Sequence, residues 1–183
     1  MPRKGTFNLH ASLLPDYRGA APINWAIIGG EATTGVTTFL IDEQIDTGAI
    51  LLRKEVAIAP RETAGTLHDK LMTVGADLVV ETLALIASDK AVPQSQPKQV
   101  VEKPAPKIHK ETSHIPWEQS LAQIDRFVRG MSPYPTAWAQ LHHEGEIYAV
   151  KIYEATPQEA THNLPIGRVL LEDKQIKVAV QGG

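Results

Sequence analysis

The sequence predicts an α/β region followed by a small β-barrel, and three observations carry that expectation. Apolar, β-branched runs at 35–41 and 49–58 lead into a helix-period stretch from Thr63 to about Ala87. Between residues 91 and 107, Pro93, Pro97, Pro104 and Pro106 stand among Gln, Lys and Ser with no apolar periodicity. Beyond that break, several short strand-like runs separated by turn residues have the pattern of a barrel. The expected division is 1–90, an extended linker over 91–112, and 113–183.

Taken in order, Thr6 to Leu9 reads as a strand that ends at the polar pair Asn8 and His10. A Pro-stiffened loop closed by Gly19 follows. Pro22 suits the first position of a short helix carrying Ile23, Trp25, Ala26, Ile27 and Ile28, and Gly29-Gly30 stops it. Gly35–Ile41 is a strand, 42–48 a loop, and Ala49–Ile58 a strand with Arg53-Lys54-Glu55 inside it. The long helix places Leu67, Leu71, Val74, Leu78 and Leu85 on one stripe. Thr63 is its N-cap, but Thr66 stands where a capping-box Glu is expected.

In the second half, Ser120–Arg129 is a short helix with Leu121, Ile124 and Val128 inward, Arg126 and Arg129 outward, and Gly130 at its end. Strands are expected at Ala137–Leu141, Ile147–Glu154, Gly167–Leu171 and Ile176–Val180, with His142-His143-Glu144-Gly145 as a turn. No internal repeat is present. Both ends look cut, because one long helix cannot cover a three-stranded sheet and the last strands leave a barrel at least one strand short. The chain is therefore expected to belong to something longer or to lean on a partner.

With 183 residues, 43% of them apolar, the chain can bury the cores of one or two domains. The absence of cysteine excludes a disulfide framework, a thiolate metal site and a Cys nucleophile. There is no charged-then-apolar leader and no apolar run near membrane-spanning length, so the expectation is a cytoplasmic chain with no membrane contact. A net charge of −3 argues against a broad nucleic-acid footprint. The exception is local: Lys98, Lys103, Lys107 and Lys110 face only Glu102 between residues 98 and 110. A solvated linker is the plainer account of that run.

The chemistry concentrates at the first strand. Residues i and i+2 share a strand face, so Asn8 presents an amide beside the His10 imidazole. Asp46 lies in the loop between the next two strands and reaches the pair if those strands flank the first. An amide, an imidazole and a carboxylate without a Ser or Cys nucleophile suit direct attack of an amine on a carbonyl. Asn8 would donate to the developing oxyanion, and the His10 imidazole would take the proton from the attacking nitrogen. Asp46 would support the imidazolium or hold a bridging water. Asn-x-His at a strand end and an Asx turn before Thr47-Gly48 have structural accounts as well, which these residues alone leave open.

Asn8-x-His10 with Ser12-Leu13-Leu14-Pro15-x-Tyr17-Arg18-Gly19, followed by Asp46-Thr47-Gly48, resembles the signature of folate-dependent formyltransferases. Ala105-Pro106-Lys107-Ile108-x-Lys110-Glu111, Ile115-x-Trp117 and Arg129-Gly130-x-x-Pro133-x-Pro135 resemble the start of the C-terminal domain of the methionyl-tRNA formyltransferase family. The likeness implies the C-terminal part of a Rossmann-like mixed-sheet domain followed by an incomplete OB-like β-barrel. It implies transfer of a formyl group from 10-formyltetrahydrofolate to the methionyl amine of initiator tRNA, at translation initiation. Asn8, His10 and Asp46 take the family's catalytic positions, and Ser12, Leu13, Leu14 and Pro15 line the folate site. Arg18, Lys103, Lys107, Lys110, Arg126 and Arg129 become candidates for tRNA contact. No metal is implied, and the full-length enzyme is expected to be monomeric. In that family part of the catalytic domain precedes the position matched by Met1, so this polypeptide alone is expected to have little or no activity.

Other classes fit less of the chain. Asp46-Thr47-Gly48-Ala49 also matches an aspartic-protease signature, but it occurs once and leaves the opening stretch unused. A Ser12-His10-Asp46 hydrolase lacks the Gly-x-Ser-x-Gly elbow. A non-catalytic RNA-binding module is the alternative of a different class. Sugar-nucleotide and glycinamide-ribonucleotide formyltransferases share the catalytic trio, and the run from the linker to Trp117 favours the tRNA enzyme over them. His142-His143 reads as a solvated turn without a third metal ligand. Trp25 and Trp117 read as packing residues, and His68 has only Asp69 beside it, facing elsewhere.

Overall fold

The computed structural model describes residues 2, 4–97, 103–172 and 174–183. The first half is an antiparallel sheet of β1 (Phe7–His10), β2 (Thr33–Leu40) and β3 (Ile50–Ala57), in that order, with α1 (Pro22–Gly29) and α2 (Ala64–Ala87). Strand period two separates its faces. Leu9, Val36, Leu52 and Val56 pack against Leu67, Leu71 and Leu78 of α2. Within that apolar seam the Thr38 and Thr82 hydroxyls bond each other at 2.8 Å, so neither is left unsatisfied. Each buried Leu contributes about 1.5–3 kcal/mol of transfer free energy. The opposite face carries Asn8, His10, Thr37 and Phe39 and belongs to the candidate site.

Local signals account for the helix ends. Pro22 opens α1, and Gly30, with φ 77°, closes it in the left-handed conformation. At α2 the capping box is complete without a glutamate: the Thr66 hydroxyl reaches back to the Thr63 N–H at 3.0 Å while Thr63 Oγ1 accepts from Thr66 N. A threonine at the third position is long enough for the reciprocal bond. His68 Nδ1 also lies 3.1 Å from Asp69 Oδ1, so this exposed neighbour does turn toward it.

The second half begins with a short 3₁₀ turn (Glu111–Ser113) and α3 (Leu121–Met131). Then come two antiparallel pairs, β4 (Ala137–His143) with β5 (Glu146–Ile152), and β6 (Val169–Glu172) with β7 (Gln175–Val178). The incomplete OB-like barrel expected here is not seen as a joined sheet. Among the described residues the strands form two separate ladders, and the stretch between β5 and β6, punctuated by Pro157 and Pro165, adds no strand to join them. His142 and His143 sit in β4 rather than in the turn, which narrows to Glu144 and Gly145, both with positive φ.

Gly130 does not end α3 but lies inside it, because α1 crosses there. A Cβ on Gly130 would stand 2.5 Å from Ile28 Cγ1 and 3.0 Å from the Asn24 carbonyl oxygen, and Asn24 Nδ2 donates to Gly130 O at 2.7 Å. The helix runs on to Met131 and is capped by Ser132, whose extended backbone precedes Pro133. Arg126 and Arg129 consequently turn into the seam rather than outward. Arg129 donates to Asp125 Oδ2 and to the Glu62 carbonyl at 2.9 and 2.8 Å. The Arg126 guanidinium lies against Gly30 with its Nε buried. Ile115, Ile124, Phe127, Val128 and Met131 form the core of this half.

Leu67 is fully buried and Met72 on the same helix is 60% exposed, which separates packing from propensity. Leu67→Ala is expected to lower the unfolding free energy by about 2–5 kcal/mol and Met72→Ala by no more than about 0.5 kcal/mol, both read by urea denaturation.

Candidate active site

Asn8 and His10 project from the sheet face away from α2. His10 is buried, with its ring edge-to-face against Phe39, while Asn8 is exposed and makes no side-chain hydrogen bond among the described residues. The strand register alone would separate His10 from Asp46. His10 pairs with Thr37 and Phe7 with Leu40, so the 41–49 loop leaves from the far end of β1. Among the described residues β1 is flanked by β2 alone, and the loop folds back across the sheet face to reach His10. Gly48 permits this tight return: a Cβ there would collide with the Leu40 carbonyl oxygen. Asp46 itself takes a left-handed backbone, φ 55°, which a short carboxylate side chain tolerates.

The result is a close cluster. Asp46 Oδ2 lies 3.6 Å from His10 Nδ1 and accepts the Gly19 N–H at 2.9 Å. His10 Nε2 is 2.8 Å from the Tyr17 carbonyl oxygen. A carbonyl can only accept, so Nε2 carries the proton and the lone pair of the neutral ring sits at Nδ1, facing Asp46. Ser12 plays no nucleophilic part in this geometry, since its hydroxyl donates to the Asp16 carbonyl and not to His10. Within Ser12–Pro15, the side chains of Ser12 and Leu14 are fully buried, Leu14 against Phe39 and Ile50. Leu13 and Pro15 are half-buried.

The basic candidates are mostly engaged. Arg18 donates through Nε to the Asp46 carbonyl at 3.0 Å and through Nη2 to Gln96 Oε1 at 2.6 Å. Lys103 bonds Glu31 at 2.8 Å and lies 3.6 Å from Asp16. Lys110 sits over the Trp138 ring, and Lys107 is exposed. Arg126 and Arg129, beyond their seam contacts, border an open cleft of about 1100 Å³ with Asp125, Glu159 and Gln181. Lys98 and Glu102 of the basic run lie outside the described residues.

Sequence reasoning placed a linker here but missed its contacts. Gln96 donates from Nε2 to both the Asp46 and Gly48 carbonyls, at 2.8 and 2.9 Å, and so holds the returning loop. Gln94 exchanges two backbone bonds with Ile50, and Ala105, fully buried, exchanges bonds with Arg18, Ala20 and Ala21. Polar, Pro-rich composition marks a segment as lacking a core of its own, but it does not reveal that its backbone is bonded to neighbouring loops. The one available signal was the glutamines, whose amides can cap carbonyls.

Glu31 joins the linker to the loop below His10. It accepts from the Tyr17 hydroxyl at 2.7 Å as well as from Lys103. Burial works to raise the Glu31 carboxyl, but hydrogen bonds from Lys103 and Tyr17 outweigh it and hold the group below its ordinary value of 4.5. Burial first, and then the bond to Glu31, push the Tyr17 hydroxyl well above its ordinary range. The bond to Glu31 raises Lys103.

A depressed carboxylate stabilises the fold above its unfolded value and loses that contribution as pH falls through the folded one. Glu31→Gln should therefore cost a constant amount of stability at pH above about 5, and the difference from the parent should shrink as pH drops below 4.5. Paired urea melts across that range check it. Gly48→Ala is expected to displace the 42–48 loop, lowering stability by about 1–3 kcal/mol and separating Asp46 from His10 in a crystal structure.

Residues 1–83 match the family described as Formyl transferase, and residues 107–183 match Formyl transferase, C-terminal domain. A relative from Flavobacterium johnsoniae, named methionyl-tRNA formyltransferase, is 50% identical over 183 residues. The alignment takes in 100% of this chain, which spans 58% of that relative's length. Among solved structures, a variant of HypX from Aquifex aeolicus superposes on 96% of the chain, and 31% of its own, with TM-score 0.72 and 24% identity. WlaRD, a sugar 3N-formyl transferase solved in the presence of dTDP and 5-N-formyl-THF, covers 68% of the chain and 45% of its own, with TM-score 0.60 and 25% identity. Together, the two matched segments and the half-identical relative establish that this chain belongs to the formyltransferase family.

Proposed function

We propose that the chain carries the catalytic cluster of a methionyl-tRNA formyltransferase, which moves a formyl group from 10-formyltetrahydrofolate to the methionyl amine of initiator tRNA. The observation that carries this reading is the approach of Asp46 to His10 Nδ1 on the face that also bears Asn8. The name of the half-identical relative supports the tRNA substrate, and the 5-N-formyl-THF present with the sugar formyltransferase WlaRD supports a folate donor. The reading places the work in translation initiation, in the cytoplasm. It divides the chain into catalytic residues 1–90, linker 91–112 and a tRNA-binding, OB-like 113–183.

In this mechanism the amine nitrogen attacks the formyl carbon, forming the new C–N bond as the carbonyl π pair moves to oxygen. Asn8 donates its amide to that oxyanion. His10 takes the nitrogen's proton at Nδ1, where the lone pair lies, and the resulting N–H faces the Asp46 carboxylate. Collapse of the tetrahedral intermediate breaks the C–N10 bond of the folate, and the imidazolium returns its proton to the departing nitrogen. The mechanism asks for no metal. Because the chain spans 58% of its relative, the activity is assigned to the full-length enzyme, and this polypeptide alone is expected to transfer little formyl.

Asn8→Ala in the full-length enzyme should lower kcat by about 10²–10³-fold, and His10→Ala by about 10²–10⁴-fold, in an assay of formyl transfer to methionyl-tRNA. Wild-type rates in both variants would sink the mechanism. Titrating this chain with a reduced folate separates the enzyme from an RNA-only module: shifts at Asn8, His10 and Asp46 support the former, and RNA binding with no folate response supports the latter.

A further inference from the structure

Resting on the formyl-transfer reading of the site, we propose that Lys103 is a positioning residue for His10. It holds Tyr17 in the one backbone conformation whose carbonyl selects the protonated nitrogen of the imidazole. Tyr17 has φ 59°, a region that a bulky residue occupies only when its surroundings over-determine it. Those determinants converge on residue 103. The Tyr17 N–H donates to the Lys103 carbonyl at 2.7 Å. The Tyr17 hydroxyl donates to Glu31 Oε1 at 2.7 Å, and the same oxygen accepts from Lys103 Nζ at 2.8 Å. That ammonium also lies 5.8 Å from the centre of the Tyr17 ring and 3.6 Å from Asp16 Oδ2.

What this clamp delivers is the Tyr17 carbonyl oxygen, 2.8 Å from His10 Nε2. While it is in place, the proton stays on Nε2 and the basic lone pair stays on Nδ1, the nitrogen that looks at Asp46. Were Tyr17 to relax toward negative φ, its carbonyl would swing away and the neutral ring could exchange tautomers. Part of the population would then present an N–H where the mechanism needs a base. The salt link therefore acts at a distance from the imidazole, through one backbone carbonyl. A lysine serving only to tether the linker would leave the tautomer untouched.

The test uses this chain labelled with ¹⁵N-histidine, read by long-range ¹H–¹⁵N correlation at pH 8, above the ordinary imidazole range of about 6.5. His10 signals are assigned by their loss in His10→Gln. In the parent, Nε2 should appear protonated and Nδ1 unprotonated, their resonances far apart. Lys103→Met should bring the two resonances toward each other, and Lys103→Arg should keep them apart. If Lys103→Met does not fold, Glu31→Gln removes the other half of the clamp and is expected to give the same convergence. A parent-like His10 pattern in folded Lys103→Met or Glu31→Gln overturns the proposal, as does equal convergence in Lys103→Arg. No substrate enters the measurement, so its failure is distinct from a failure to bind folate.

Discussion

The candidate site depends on the carboxylate of Asp46 meeting two partners outside its own loop, one at the end of β1 and one in the 11–19 loop. It accepts the Gly19 N–H and faces the His10 ring, so the 11–19 and 41–49 loops are joined at one side chain. The first loop buries Leu14 against Phe39 and Ile50, whereas the returning loop has no such anchor. Ile41 and Ile45, the apolar residues of the second loop, are both exposed. The returning loop keeps its shape through polar bonds: Thr47 and Gln44 bond Asp42, and Gln96 and Arg18 bond the backbone of 46 and 48. Directional bonds of this kind fix geometry more than they add stability, since each is worth only about 0.5–1.5 kcal/mol net.

The sheet supplies the rigid half of the arrangement. Leu9, Val36 and Val56 are locked against α2, so the alternate residues Asn8, His10, Thr37 and Phe39 have fixed origins. Thr37 then anchors the first loop directly, giving its hydroxyl proton to Ser12 O and accepting from Leu14 N. Arg53 on β3 adds a bond to Leu14 O. The loop is thus pinned to two strands before it reaches Tyr17.

Much of the scaffold was legible because it rests on periodicity. The long stripe of α2, the Pro22 start and Gly30 stop of α1, and the strands around Val36 and Val56 all follow from local spacing. The pairing of Asn8 with His10 also follows, since alternation puts them on one face. The approach of Asp46 was reached for the wrong topological reason: the loop comes back over the sheet rather than extending beside a flanked strand, a path set by long-range hydrogen bonds. The capping role of Thr66 and the interior place of Gly130 were missed because each depends on a specific neighbour, a hydroxyl one turn away and a helix from the other half. The way the strands of the incomplete barrel pair was missed for a similar reason, since strand count says nothing about which ladders join. The contacts of the linker were the largest miss, since composition reports solubility and not partners.

The absent side chain at Gly130 reaches further than the crossing where it lies. It lets Asn24 and Ile28 of α1 sit against α3, and α1 begins directly after Ala20 and Ala21, whose amides bond Ala105. Any bulk added at that contact therefore presses on α1, the helix that follows the residues bonded to Ala105. The fit between two helices in different halves of the chain thus rests on one missing methyl group.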